Sequence, residues 1–189
     1  PVTGIVSGAY TNNDLQAATS TTLLVINGSS DTVALQSPAN SGIIAATGSL
    51  GVNTSGPVGF DIYNTLRDGV ATTNRALLGA TVEGAGNAAL YLLDANTGAA
   101  PTKLVAYTNT TGTAGENGLS SPTPVDTDRD GLMDTVYAGD LRGNLHKFQF
   151  SRASGSDFVL ARPAETGGAW RYLGVVYSTA QPITTAPSV

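Results

Sequence analysis

Short apolar runs recur along the chain, separated by polar, glycine-rich stretches. Three runs have a similar length and setting, at residues 23–28, 90–95 and 145–150. A Pro-Val pair precedes each run, at 1–2, 57–58 and 124–125. Second apolar stretches follow the runs, at 32–35, at 103–107, and at 158–160 together with 170–177. Because these runs have the length of strands and no long segment has helical periodicity with caps, the pattern predicts an all-β fold of repeated units.

The repeat divides the chain into units of about 1–56, 57–123 and 124–186, and a further unit starts at 187. Units of roughly 55 to 70 residues with several short strands suit β-propeller blades that carry loop insertions. Three blades leave a ring open, and open edges invite pairing with other chains. We therefore predict that residues 1–189 form a partial β-propeller domain, with about three β-propeller-like blades of a larger or modified propeller. A β-sandwich with similar strands is the alternative.

Further strands are predicted at 4–10, 43–46, 59–63 and 75–82, and the strand at 43–46 is expected to be buried. Residues 64–74 are predicted to be a loop, and so are residues 108–121, which are rich in Gly, Thr and Asn. Asp140 and Asn144 are expected to stabilise a turn by hydrogen bonds. His146 alternates with apolar residues along its strand, so a half-buried position in the sheet is expected rather than a catalytic one.

The composition is polar but poor in charge, as in all-β secreted or surface proteins. Charged residues make up 12% of the chain, and there are 23 glycines. The net charge of −5 and the lack of a basic patch argue against nucleic acid as a partner. No apolar run is long enough to span a membrane. The chain contains no cysteine, and its start at Pro1-Val2 without a signal peptide is expected of a fragment or a mature piece.

The run 126–134, Asp-Thr-Asp-Arg-Asp-Gly-Leu-Met-Asp, has carboxylates at positions 1, 3, 5 and 9 and a glycine at position 6. Four like charges this close together are unfavourable unless a cation lies between them. Ca²⁺ suits that position because it takes about six to eight oxygen ligands in a flexible shell, and Gly131 permits the sharp turn. We therefore predict one calcium loop. Its ligands would be Asp126, Asp128, Asp130, the main-chain carbonyl of Leu132, and Asp134.

The loop is not an EF-hand, although its first half has the same spacing. An EF-hand requires a bidentate Glu at position 12, where this chain has Tyr137. The flanking segments also have the pattern of strands or turns rather than helices. The alternative to a calcium loop is a solvated acidic turn that binds nothing.

Four stretches of the sequence carry a resemblance to a known family. They are 121–126 (Ser-Pro-Thr-Pro-Val-Asp), 136–145 (Val-Tyr-Ala-Gly-Asp-Leu-Arg-Gly-Asn-Leu), 92–98 and 181–184. In this order they resemble the C-terminal propeller of the PilY1/PilC family, which are type IV pilus-associated adhesins and biogenesis factors. The resemblance is densest from about residue 90 to 150 and weak before residue 90. It implies a calcium-bound propeller, and it puts the family's calcium ligands on the five residues named above.

The resemblance also implies a function. The chain would be a calcium-binding surface module in pilus biogenesis, retraction control and adhesion, and not an enzyme. Its partners would be type IV pilus components, including minor pilins, and a host or surface ligand. Its location would be extracellular, at the bacterial cell surface, the pilus tip or the outer membrane.

Two other functions remain open as alternatives. A quinoprotein-dehydrogenase-like propeller enzyme would need a tryptophan that stacks on the cofactor, and Trp170 stands alone. An integrin-like calcium-binding repeat would need similar loops in several units.

The sequence offers few catalytic side chains. One histidine and no cysteine offer no nucleophile–base set, whereas a two-carboxylate glycosidase scheme stays open. Its candidates would be Asp61, Asp68, Glu83 and Glu116.

Overall fold

The structure is a computed structural model, which describes residues 2–82, 88–93, 102–107, 118–155, 157–162 and 165–187. Predictions that concern residues 94–98, 108–117 and 188–189, and those for Glu83 and Glu116, lie outside the described residues. The elements in the described part are β-strands, so the all-β prediction is confirmed. Within those ranges there is no helix with the length and apolarity needed to cross a membrane.

The described residues contain thirteen strands in three antiparallel sheets. The first sheet consists of β1 to β4, at Ile5–Tyr10, Leu23–Asn27, Thr32–Gln36 and Ile44–Ser49. The second sheet consists of β5 to β8, at Thr54–Arg67, Val70–Val82, Ala88–Leu93 and Thr102–Tyr107. The third sheet consists of β9 to β13, at Thr123–Val125, Thr135–Gly139, Asn144–Ser154, Asp157–Leu160 and Ala169–Ser178.

Each sheet is built from strands that follow one another in sequence. In the first two sheets the spatial order equals the chain order, which is that of a meander. In the third sheet β11 pairs with β10, β12 and β13. The second sheet begins with β5, three residues before residue 57, and the third begins with β9, which includes residues 123 and 124. The unit boundaries and the larger ring remain predictions.

The second sheet buries both of its faces, which is why the three sheets stack. Along β6, Ala76, Leu78 and Ala80 face a core shared with the first sheet, whereas Leu77 faces a core shared with the third. The same alternation continues on β7, where successive side chains enter opposite cores. Sequential sheets packed face to face in this way are the arrangement of propeller blades.

Strands β1 and β13 keep large apolar side chains partly exposed to solvent. On β1 these are Ile5, Val6 and Tyr10, and on β13 they are Leu173, Val175, Val176 and Tyr177. Both strands also contact the second sheet, β1 through β5 and β13 through β8.

The prediction of a loop at 64–74 is wrong, because these residues extend the hairpin of β5 and β6. Pairing continues to Arg67 and Val70, and the turn falls at Asp68-Gly69, where both residues have positive φ. A polar sequence forms strands here because Asn64 and Asn74 hydrogen-bond to asparagines of the β1–β2 connection instead of packing in an apolar core. The prediction of a buried strand at 43–46 is also wrong: β4 lies at the edge of its sheet and is mostly exposed.

An amide cluster ties the hairpin to the β1–β2 connection. The main-chain N–H of Asn12 donates to Asn74 Oδ1 (2.8 Å), and Asn74 Nδ2 donates to Asn12 Oδ1 (2.8 Å). The N–H of Asn13 donates to Asn64 Oδ1 (3.0 Å), and Asn64 Nδ2 donates to Asn74 Oδ1. Residues about sixty positions apart are thus joined by directional bonds between the first and second sheets.

The segment that leads into the third sheet passes very close to the second sheet. A Cβ on Gly59 would lie 2.0 Å from the carbonyl oxygen of Ser120, so only glycine permits this approach. The N–H of Ser120 donates to the carbonyl of Gly139 (2.8 Å), and its neighbour Leu119 is fully buried between the sheets. The residues at 118–121 therefore connect the second sheet to β10 of the third.

Replacing Asn74 tests the amide cluster. Asn74→Ala removes the acceptor for Asn12 and Asn64, and we expect the free energy of unfolding to fall by about 1–2 kcal/mol. The measurement is urea unfolding followed by circular dichroism. Thr73→Ala, an exposed neighbour on the same strand, is the matched control and should change stability by less than about 0.5 kcal/mol. Equal losses in the two variants would contradict a special role for Asn74.

Candidate metal centre

The predicted calcium loop joins β9 to β10, two strands that pair directly. Thr135 pairs with Val125, and the N–H of Asp134 donates to the carbonyl of Val125 (3.1 Å), so the sheet itself closes the ends of the loop. At the other side of Asp134, its carbonyl accepts from the N–H of Phe150 (2.7 Å) on β11. The ends of the loop are therefore held by the paired strands β9, β10 and β11.

Main-chain N–H groups hold the loop carboxylates in place. Asp126 accepts from the N–H of Asp130 (3.2 Å) and of Gly131 (2.8 Å), and Asp128 accepts from the same Asp130 N–H (3.3 Å). Asp130 accepts from the N–H of Leu132 (2.9 Å). Arg129 and Gly131 have φ values of 63° and 89°, the left-handed conformation that curls the chain around these groups.

The geometry brings Asp126, Asp128 and Asp130 into one group. One carboxylate oxygen from each lies within 4.8 Å of the others. Calcium–oxygen distances are about 2.3–2.6 Å, so two ligands on opposite sides of an ion are up to roughly 5 Å apart. The spacing of these oxygens fits a calcium ion, and their hard, anionic character is what that ion prefers. Within the described ranges this is the one group of three or more potential ligands that meets this test.

Asp134 and Leu132 are not in that group. Asp134 is buried, and its two carboxylate oxygens accept from the N–H (2.9 Å) and the Oγ1 (2.7 Å) of Thr127. Each carboxylate oxygen has a second lone pair, so these bonds leave Asp134 able to act as a ligand. Leu132 is half-buried beside Met133, which enters the core between the second and third sheets. The ligand roles of Asp134 and Leu132 remain predictions.

The loop lies against the long hairpin of the second sheet. A Cβ on Gly131 would come within 3.9 Å of Thr65 Cγ2. Tyr63, on the same strand as Thr65, has its pKa raised, first by burial and then by the negative charges of Asp126, Asp134 and Asp130. The negative charges of the loop thus act on a side chain of β5. The sequence pattern of either segment alone does not indicate that the two lie together.

An arginine from elsewhere in the third sheet also reaches the loop. Arg162 Nε lies 3.3 Å from Asp130 Oδ2 and 3.8 Å from Asp128 Oδ2. Arg162 follows β12, more than thirty residues along the chain from either partner. No motif in the sequence links it to the loop.

Asp140 stabilises the turn between β10 and β11, as predicted. Its carboxylate accepts from the N–H groups of Arg142 (2.9 Å) and Asn144 (2.8 Å) and from Asn144 Nδ2 (3.0 Å). His146 is buried rather than half-buried, because its Nε2 lies 2.7 Å from Asp140 Oδ2 and its Nδ1 3.0 Å from the Tyr172 hydroxyl. Burial, followed by the charge of Asp140, raises the pKa of Tyr172. This buried cluster holds β13 to the turn.

Other acidic residues proposed for a glycosidase scheme do not form a pair in the described structure. Asp68 is exposed at the turn of the β5–β6 hairpin, whereas Asp61 is half-buried further along β5. Burial raises the pKa of Asp61. The two residues are seven positions apart on one strand and its turn.

Comparison with known proteins identifies the family. The family model for the PilY1 beta-propeller domain matches residues 64–189, two thirds of the chain. The chain belongs to the PilY1 β-propeller family. A second family model, described as a domain of unknown function (DUF4394), matches residues 1–119 and overlaps the first.

Individual relatives agree with this assignment. The type IV pilus biogenesis factor PilY1 of Pseudomonas aeruginosa strain PAO1 is 40% identical over 116 residues, covering 54% of this chain and 10% of the relative. A PilY1 homolog from Xylella fastidiosa is 57% identical over 37 residues, 20% of this chain and 2% of the relative. The chain thus spans about a tenth or less of the curated relatives it matches.

A solved structure has the same fold. The crystal structure of the Pseudomonas aeruginosa PilY1 C-terminal domain matches with a TM-score of 0.56 and 24% identity. The match covers 95% of this chain and 40% of that one. The β-propeller prediction and the predicted resemblance to the PilY1/PilC family are therefore confirmed, and the homologues are named as pilus biogenesis factors.

The raised pKa of Asp61 gives a prediction about pH. A raised pKa in the folded state means that ionised Asp61 destabilises the fold, so stability is lost as the pH rises through that pKa. We expect Asp61→Asn to raise the melting temperature at pH 7. The gain should disappear below the ordinary aspartate value of 3.8, where the group is protonated in both states.

Asp68→Asn, at the exposed turn of the same hairpin, is the matched control for this measurement. Melting curves of both variants and the parent protein between pH 3 and 7 give the comparison. A gain for Asp61→Asn that does not depend on pH would contradict the explanation by burial of the charge.

Proposed function

We propose that this chain is a calcium-binding β-propeller module of a type IV pilus-associated protein. It acts outside the cell, at the bacterial surface, the pilus tip or the outer membrane. There it takes part in pilus biogenesis, retraction control and adhesion, without enzymatic activity. The observation that carries the proposal is the grouping of the carboxylates of Asp126, Asp128 and Asp130 in a chain of the PilY1 β-propeller family.

The chemistry of the donor set supports Ca²⁺ over other ions. Carboxylate and carbonyl oxygens are hard ligands, the loop contains no histidine or cysteine, and its Met133 side chain lies in the core. Mg²⁺ demands a tight octahedral shell, whereas a curled loop of carboxylates suits the larger and more variable shell of calcium. A bound calcium ion would neutralise the clustered charge and hold the loop in one conformation. Asp126, Asp128 and Asp130 would hold it, with Leu132 and Asp134 as the remaining ligands.

The proposed partners are type IV pilus components, minor pilins among them, and a host or surface ligand. The proposal draws on the names of the relatives, which are pilus biogenesis factors. The chain's own surface adds exposed apolar side chains on β1 and β13, which suit contact with further blades or with another protein.

Two observations favour this function over the alternatives. An integrin-like repeat would carry such a loop in several units, whereas in the described residues the acidic group occurs in the third sheet alone. A quinoprotein-type site would need a tryptophan face free for stacking. Trp170 instead is half-buried and packs edge-on against Phe150, with ring centroids 6.0 Å apart.

Calcium should stabilise the protein if the loop binds it. A ligand that binds the folded state alone adds RT ln(1 + [L]/Kd), about 2.7 kcal/mol at a hundredfold excess over Kd. We expect a higher melting temperature in calcium than in chelator, and no such gain for Asp126→Asn. Asp68→Asn removes the same charge from an exposed turn outside the loop and should keep the gain. Identical melting curves in calcium and chelator for the parent protein would exclude the calcium site.

The cellular prediction concerns pili. We expect Asp126→Asn in the full-length parent protein, expressed at its native level, to reduce surface pili and pilus-dependent motility. Surface pili can be counted by sheared-pilin blots and motility by spreading assays. Wild-type pili and motility in a variant whose calcium binding is lost would separate calcium from pilus function and contradict that part of the proposal.

A further inference from the structure

Arg162 places a positive charge beside the acidic loop. Its main-chain N–H donates to Glu165 Oε2 (3.1 Å), and the N–H of Glu165 donates back to the Arg162 carbonyl (2.8 Å). Glu165 Oε1 in turn pairs with Arg152 Nε (2.7 Å) on β11. These bonds tie the main chain at Arg162 to Glu165, and Glu165 to β11.

The guanidinium already interacts with two of the three clustered carboxylates. Its Nε is 3.3 Å from Asp130 Oδ2 and 3.8 Å from Asp128 Oδ2. Asp128 and Asp130 are also two of the proposed calcium ligands. A divalent ion among the same oxygens would be repelled by the positive charge of the guanidinium. The two cations would also compete for the same carboxylate oxygens. Arginine stays protonated at any relevant pH, so this competition cannot be relieved by loss of a proton.

We propose that Arg162 is a built-in competing cation that sets the calcium affinity of the loop. Without metal, Arg162 offsets the repulsion between Asp128 and Asp130. When calcium binds, the guanidinium withdraws from these carboxylates, so ion binding and the position of the Arg162 side chain are linked. The inference rests on the proposed calcium site and adds to it the residue that tunes its affinity.

The expected effect is moderate because the side chain of Arg162 is 69% exposed. Water and salt screen the charge, so the competition changes affinity without abolishing binding. We expect Arg162→Ala to tighten calcium binding by roughly three- to tenfold at low salt. The difference should shrink in 0.5 M salt, where the screening length is only about 4 Å.

The test is calorimetric titration of the protein with calcium chloride, at low and high salt, for three variants. Arg162→Ala removes the charge, and Arg162→Lys keeps it and should bind calcium within about twofold of the parent. Arg152→Ala removes an equal charge from a residue that pairs with Glu165 instead of the loop, and it should also stay within about twofold. Melting in chelator gives a second readout, in which Arg162→Ala should melt below Arg162→Lys.

The outcomes separate the two proposals. Calcium binding by the parent protein with an unchanged or weaker affinity in Arg162→Ala would overturn the competing role and leave the calcium site intact. Equal tightening in Arg162→Ala and Arg152→Ala would also overturn it, since the effect would then be one of net charge. No calcium binding by the parent protein would overturn both the site and its tuning.

Discussion

The structure depends on the need of the second sheet to bury both faces. Leu77 and Leu78 are adjacent on β6, and the alternation of side chains along a strand sends them into opposite cores. A sheet with one polar face can stand against water, but a sheet with two apolar faces requires a neighbour on each side. The first and third sheets supply those neighbours. The stack therefore follows from the period-two pattern of two central strands.

Hydrophobic burial brings the sheets together without fixing their orientation, because it is not directional. Polar and steric contacts between the sheets fix their relative orientation. The amide pair of Asn12 and Asn74 joins the first two sheets, and the close approach of Ser120 to Gly59 joins the second sheet to the third. With these contacts in place, the β9–β10 edge lies beside Tyr63 of the hairpin. The acidic loop therefore occupies a defined position between two blades.

Sequence patterns predicted the features that depend on neighbours in the chain. The strands, the turn role of Asp140 and the clustering of Asp126, Asp128 and Asp130 all follow from local spacing. Features that depend on distant partners were missed. The polar strands at 64–74 are stabilised by amides from the β1–β2 connection, and His146 is buried because Tyr172 and Asp140 satisfy both ring nitrogens. The ion pair of Arg162 with the loop belongs to the same class.

The position of the acidic loop explains how an ion could bind there without remaking the fold. Its buried end is anchored by Asp134 and Met133, while residues Asp128 and Asp130 lie at its exposed end. An ion at the exposed end would exchange with water without opening the core, because the anchoring strands pair directly with each other. Exposure also keeps the attraction for the ion moderate, since water screens charges that a buried site would not. A competing arginine at such a site would lower the affinity further, and the loop would then respond to the surrounding calcium concentration rather than remain permanently loaded.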